Sequence, residues 1–303
     1  MNAQTLHPSS PSSSASSAGP AAVAAAAEHS STIDAEFGFI RDPARRQLAP
    51  LAFGLRADSP PAVAWRAAQQ RERLSFWDFP SSPFCVKVRA MLRHKGLVFE
   101  AVDPLAPAHW WTLQRRGLGK VPALQIDARF VTDSTDIALA LEALYPEPAL
   151  VPADARLAAL NHALEEWADE ALYFLGLHFL WLDPATAGLV PQLFGRGPLG
   201  RLGYQIYRRR IAAQVRGQGT GRKPPERLLG ELQRQLDHAA ALLQPGPWLI
   251  DEQPRLADFA LFGQLSFLLR AVTSGPLVRE RPPLMAFVKR LRAVGRDASA
   301  TPR

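Results

Sequence analysis

Periodic alternation of apolar and polar positions begins at Leu74. Leu74-Ser75-Phe76-Trp77-Asp78-Phe79 is a short, aromatic, β-prone run, and Pro80 to Pro83 interrupts it. Val86, Val88, Arg89 and Leu92, with the basic end Arg93-His94-Lys95 before Gly96, predict a helix with a glycine stop. Leu97 to Val102 predicts a second strand, followed by a loop holding Trp110-Trp111. A third strand is expected over Val121 to Ile126, a turn at Asp127-Ala128-Arg129 and a fourth strand at Phe130-Val131. Asp133-Ser134 then opens a helix carrying Ile137, Leu141 and Leu144 at helical spacing. The order is βαβ, then ββα, and Tyr145-Pro146-Glu147-Pro148 reads as a linker because neither proline continues a helix.

Beyond Ala153 the apolar period changes to that of helices alone. Leu157, Leu160, Leu164, Trp167, Ala171, Leu175 and Phe179 recur at steps of three and four and predict one long helix. Further helices are expected near 198–216, 225–243, 256–272 and 283–294. The pattern therefore divides the chain into an N-terminal extension (1–72), an α/β domain (73–146) and an all-α helical bundle (153–296). From Met1 to about Ser31 the residues are nearly all Ser, Ala and Pro, with no apolar face to offset the entropy of ordering them, so the extension is expected to be disordered or partly ordered.

Composition narrows the chemistry. The chain has 303 residues with 47% hydrophobic and 21% charged, which excludes a collagen-like or wholly disordered protein. A single cysteine, Cys85, rules out an intrachain disulfide and a multi-cysteine zinc site, and no metal is expected. The net charge of +7 comes from thirty arginines and five lysines against 28 acids, spread thinly along the chain. The longest apolar stretch, Ala171 to Leu182, is too short to span a membrane, so the expectation is a soluble, cytoplasmic protein, with atypical organelle targeting by the extension left open. Arg201, Arg208-Arg209-Arg210, Arg216 and Arg222-Lys223 form a basic cluster without the motifs of nucleic-acid binding; a solvated face is expected and no nucleic-acid partner. Gly217-Gln218-Gly219-Thr220-Gly221-Arg222 follows a helix, not a strand, and reads as an interhelical turn, not a dinucleotide loop.

The most informative chemistry is Ser82-Pro83-Phe84-Cys85, placed where a strand ends and a helix begins. A helix N-terminus presents free N–H donors and partial positive charge, which lower the pKa of a sulfur held over it. Redox turns of the Cys-Pro-x-Cys kind place cysteine first; here that position holds Ser82, whose hydroxyl exchanges no disulfide but can donate a hydrogen bond to a bound thiolate. Ser82 is equally suited to capping the helix. Cys85, one turn on, suits a core or pocket wall as well as a redox role.

These residues resemble the glutathione transferase superfamily, and the likeness spans Leu74 to about Leu291. It rests on Ser82-Pro83-Phe84 at the first helix, Val121-Pro122 before the third strand and Asp133-Ser134 at the last helix of the domain. The resemblance implies a thioredoxin-like domain followed by a helical bundle, the glutathione transferase architecture, with glutathione as co-substrate. It implies that Ser82 stabilises the glutathione thiolate and that a cis Val121-Pro122 peptide turns Val121 toward the cysteinyl backbone. It also implies that Ser134 and Asp133 hold the γ-glutamyl carboxylate and ammonium, and that Lys120 reaches the glycyl carboxylate. Asp133 and Ser134 also form an ordinary N-cap pair, and Lys120 also reads as an exposed loop lysine. An acceptor pocket for an apolar electrophile is expected between the domains, walled by Cys85, Trp110, Trp111, Tyr173, Phe174, His178 and Trp181; each of the helical aromatics also suits core packing.

Two departures accompany the likeness. Arg255 occupies the Ser/Thr position of a Ser/Thr-x-x-Asp capping box that keeps Asp258, a loss of about 1 kcal/mol unless another group caps the helix. The run Glu165-Glu166-Trp167-Ala168-Asp169-Glu170 and the glycine-rich turn look most like the metaxin and failed-axon-connections branch, which implies a rival role as a non-catalytic interaction module. A glutathione-dependent thiol-disulfide reductase is the second alternative. Homodimers are common in the family.

Overall fold

The computed structural model describes residues 70–186, 197–244 and 246–294. The expectation for the 1–72 extension falls, up to residue 69, outside the described residues. Strands β1 (Leu74–Trp77), β2 (Glu100–Val102), β3 (Ala123–Ile126) and β4 (Arg129–Thr132) form one sheet in the order β2-β1-β3-β4. β1 pairs β2 in parallel and β3 antiparallel, and β3 pairs β4 antiparallel. The parallel pair requires a crossover, supplied by helix α1 (Pro83–His94). The tight β3–β4 turn passes through Asp127 at φ 50, a left-handed position that Asp tolerates better than most residues.

Helix α2 (Pro107–Arg116) stands where the sequence predicts a loop. Its only buried residue is Leu113, packed on Trp77 and Ala123, so no apolar stripe marks it. Pro107 starts it, since a proline in the first turn loses no hydrogen bond. It ends where the N–H groups of Gly117 and Gly119 both reach Leu113 O at 3.1 Å, with Gly119 at φ +64. Helix α3 (Ser134–Leu144) closes the α/β layer, and the Tyr145–Pro148 segment leaves it as a non-helical connection.

The remaining described elements are helical. α4 (Ala155–Glu166) continues through a π-helical turn (Trp167–Leu172), helix α5 (Tyr173–Leu177) and a second π-helical stretch (His178–Leu182), closed by the Asp183 N–H donating to His178 O. Then come α6 (Pro198–Gln218), α7 (Pro225–Leu242), α8 (Leu256–Leu268), α9 (Ser274–Arg279) and α10 (Pro282–Ala293). α9, six residues long, is not among the helices the sequence predicts. The glycine-rich segment is the expected interhelical turn, with Gly219 at φ +118 and a 3₁₀ turn at Thr220–Arg222.

The long helix faces the core differently from the pattern of its leucines. Leu160 is 45% exposed, while Asn161 and Glu165 are fully buried and Asp169 nearly so. The buried side is polar because the neighbours supply bonds: Asn161 donates to Leu150 O and accepts from the Ala257 N–H. The π-helical turn then shifts the register, so that Leu172, Leu175 and Phe179 enter the core.

α8 is buried along nearly its whole length, as expected of a helix apolar on every side. It packs against α1 so closely that a Cβ on Gly263 would lie 2.5 Å from Pro83 O. Its capping box is half made. Arginine has no acceptor, but the Asp258 carboxylate accepts the N–H groups of Arg255 (2.8 Å) and Leu249 (2.9 Å). The Arg255 guanidinium instead binds Asp251 and Ala149 O, tying the helix start to the connection after α3.

Candidate functional site

The first turn of α1 is built by sequence-local bonds. Ser82 N–H donates to Phe79 O at 2.9 Å, and Ser82 Oγ accepts the Cys85 N–H at 3.3 Å, an N-cap. That bond uses a lone pair and leaves the hydroxyl proton to donate outward. Ser82 is half-buried. Arg89 holds the strand end from the other side through two bonds to the Asp78 carboxylate.

Cys85 is fully buried behind this cap. Its sulfur accepts the Phe79 N–H at 3.4 Å, and burial pushes its pKa up to about 12, so the group is a neutral thiol near pH 7. The Val121-Pro122 peptide is cis. Val121 is half-buried and Lys120 exposed, and the β1–β3 ladder stops at Trp77 opposite Ala123, outside both. Asp133 is exposed at φ 78 and accepts the Thr135 N–H at 2.8 Å, so it is the N-cap of α3.

Ser134 faces inward. It is 4% exposed, and its hydroxyl accepts from Lys87 Nζ at 3.3 Å. Lys87, on α1, has a fully buried side chain and donates to Glu165 Oε1 at 2.5 Å and Asp169 Oδ2 at 2.6 Å. Thr135 Oγ1 also donates to Glu165 Oε1, and Gln264 Nε2 donates to Asp169 Oδ1. This cluster joins α1, α3, α4, its π-helical turn and α8. Burial works against a charged Lys87, yet the two carboxylates overcome it and hold its pKa above the usual value. Burial raises the pKa of Asp169, and Glu165 Oε2 finds no partner among the described residues. Sequence reasoning missed Lys87. The available signals were a lysine in an arginine-rich chain and two carboxylates spaced i, i+4 on one helix face.

The aromatic residues make ring contacts in separate groups. Tyr173 packs against Phe84, beside Ser82, with ring centroids 4.7 Å apart, and also touches Phe174 and Phe267. Burial pushes the Tyr173 hydroxyl up to about 12, so it stays protonated. Phe174 and Trp181 are buried, and Trp181 packs on Tyr204 and Tyr207 of α6. His178 is half-buried, with its pKa lowered by burial. Trp110 and Trp111 are 42% and 64% exposed on α2. Among the described residues, no group of three His, Cys, Asp or Glu is placed to hold a metal ion, and no helix is long and apolar enough to cross a membrane.

Comparison with known proteins places this arrangement. Residues 76–149 match the family model for the glutathione S-transferase N-terminal domain. A curated relative, glutathione S-transferase DHAR3, chloroplastic, of Arabidopsis thaliana, is 40% identical over 70 residues, 22% of this chain. The match spans only 27% of that protein's length. Among solved structures, the β-etherase LigF from Sphingobium sp. strain SYK-6 superposes with a TM-score of 0.57 at 25% identity, covering 73% of this chain and 95% of that one. A GST-like protein from Pseudomonas syringae gives 0.54 at 23% identity, over 74% and 68% of the two chains. The described fold is thus glutathione-transferase-like, a thioredoxin-like sheet domain followed by helices.

Proposed function

We propose that the chain is a glutathione-dependent transferase in which the Ser82 hydroxyl donates a hydrogen bond to the sulfur of bound glutathione. The observation that carries this is the Ser82 cap: half-exposed, at the N-terminus of α1, with one oxygen lone pair accepting the Cys85 N–H and the hydroxyl proton still available to donate. Donor and helix terminus both favour thiolate over thiol, whose free pKa is near 8.5. The sulfur then bonds to an electrophilic carbon, the leaving group departs with the bonding pair, and the thiol proton passes to solvent. The cysteinyl backbone would lie along Val121, with the ammonium at Asp133 and the glycyl carboxylate at Lys120. The acceptor is an apolar electrophile seated against Phe84 and Tyr173. An ether is a second class of acceptor, because LigF, the similar structure at 25% identity, is a β-etherase.

A specific observation favours a second reading, a non-catalytic module of the metaxin or failed-axon-connections kind. Ser134 is 4% exposed and its hydroxyl accepts from Lys87 on the inner side, so a γ-glutamyl carboxylate would reach little of that side chain. Immobilised glutathione and a chloronitrobenzene conjugation assay, run on wild type and Ser82→Ala, separate the two. Retention with a rate lost in the variant supports the transferase. No retention and no rate in the wild type overturns it in favour of the module.

A further inference from the structure

Helix α6 carries no acidic residue along its 21 positions and five arginines. Its buried side is Tyr204, Ile211 and Val215. At 100° per residue the opposite side is centred on Leu199, Leu202 and Ile206, which are 83%, 58% and 60% exposed. Arg209, Arg210 and Arg216, all exposed, flank that stripe. Arg208 turns away from them, its Nε donating to Trp181 O. The three adjacent arginines thus do not simply ring the helix; two border an aliphatic strip that faces solvent.

We propose that this face of α6 lies on the surface of an anionic phospholipid bilayer, with Leu199, Leu202 and Ile206 in the acyl boundary and the arginines on lipid phosphates. An interfacial helix needs this combination: an apolar strip that sinks several ångströms below the headgroups, and long basic side chains that extend back up to them. Guanidinium groups suit phosphate because they bind it in a two-toothed manner. Charge argues against a second copy, since a symmetric contact through this face would set arginines against arginines. The centre of the face argues against nucleic acid, which offers a polar, charged backbone and no seat for three aliphatic side chains. The net charge of +7 adds long-range attraction to an anionic surface.

The test is flotation of the full chain with vesicles of phosphatidylcholine alone or with about 30% phosphatidylserine, at about 0.1 M and about 0.5 M salt. The expected result is binding to the anionic vesicles only, lost at high salt. Arg209→Gln with Arg210→Gln, and separately Leu202→Asn with Ile206→Asn, should each weaken it about tenfold or more. Leu199→Asn, at the most exposed position, gives a milder version of the apolar test in a site whose change does not touch the core. Absence of binding to anionic vesicles at low salt overturns the proposal. So does binding that ignores every aliphatic substitution, whether to vesicles or to duplex RNA, because that is charge attraction alone. A dimer in ultracentrifugation that Leu202→Asn with Ile206→Asn dissolves assigns the face to self-association and overturns it as well.

Discussion

Ser82 and Lys87 lie five residues apart at the start of one helix, in opposite surroundings. Ser82 has one hydrogen bond on its side chain and a face toward solvent. Lys87 has no exposed side-chain surface and donates to Ser134, Glu165 and Asp169. The difference follows from what covers each. The first turn of α1 ends at a loop, whereas one turn later the helix is clamped between α3, the long helix and α8. A side chain keeps a face to solvent where few neighbours compete for it. A charge in the interior persists only where opposite charges and hydrogen bonds replace the water it lost. Lys95, at the far end of the same helix, repeats the second situation with Glu142 and the carbonyls of Tyr145 and Pro148.

The comparison is sharpest at Lys87. Lys87→Met leaves two buried carboxylates without their cation and should cost about 3–5 kcal/mol in denaturant unfolding. A loss under about 1 kcal/mol would mean that water reaches the cluster. Asp258 tests the case of a buried charge held mainly by N–H donors. Burial raises its pKa from 3.8 to about 7, so the folded chain binds an extra proton across that window and Asp258's contribution to stability falls as pH rises through it. Unfolding measured from pH 4 to 7 should therefore show a downward component that Asp258→Asn removes.

Gly263→Ala probes the clamp on α1 itself. Alanine favours the helix by up to about 1 kcal/mol, but its methyl would press on Pro83 O, and a net loss of about 1–2 kcal/mol is expected. Because Pro83 follows Ser82, the same variant should also lower conjugation. Ser82→Ala has the smallest effect on stability, about 1 kcal/mol for a lost cap. If its conjugation rate stays within about twofold of wild type, as a folded chain that is still several kcal/mol stable requires, Ser82 is a cap and nothing more.

The order βαβ then ββα, and the four later helices, were legible because each carries a run of apolar residues at its own period. Ser82, Asp133 and Ser134 could be singled out because cap chemistry is local, and Val121 and Pro122 through the resemblance to glutathione transferases. α2 was hidden because a single buried leucine leaves no stripe. The cluster of Lys87, Glu165 and Asp169 was not legible as a cluster because periodicity counts apolar residues, and in the first part of the long helix Asn161, Glu165 and Asp169 are the residues turned inward.

Sequence alone determined the four strands, α1, α3, the long helix, α6, α7, α8 and α10 in their order, and the helix terminus at which Ser82 stands, since these depend on neighbours within a few residues. Only the tertiary structure decided that the Ser134 hydroxyl turns toward Lys87, that Cys85 is held as a buried thiol, and that Leu202 and Ile206 remain in solvent beside arginines. Those outcomes depend on which surfaces meet across long stretches of chain, and the cost or gain of placing a polar or apolar group is set by what it meets there.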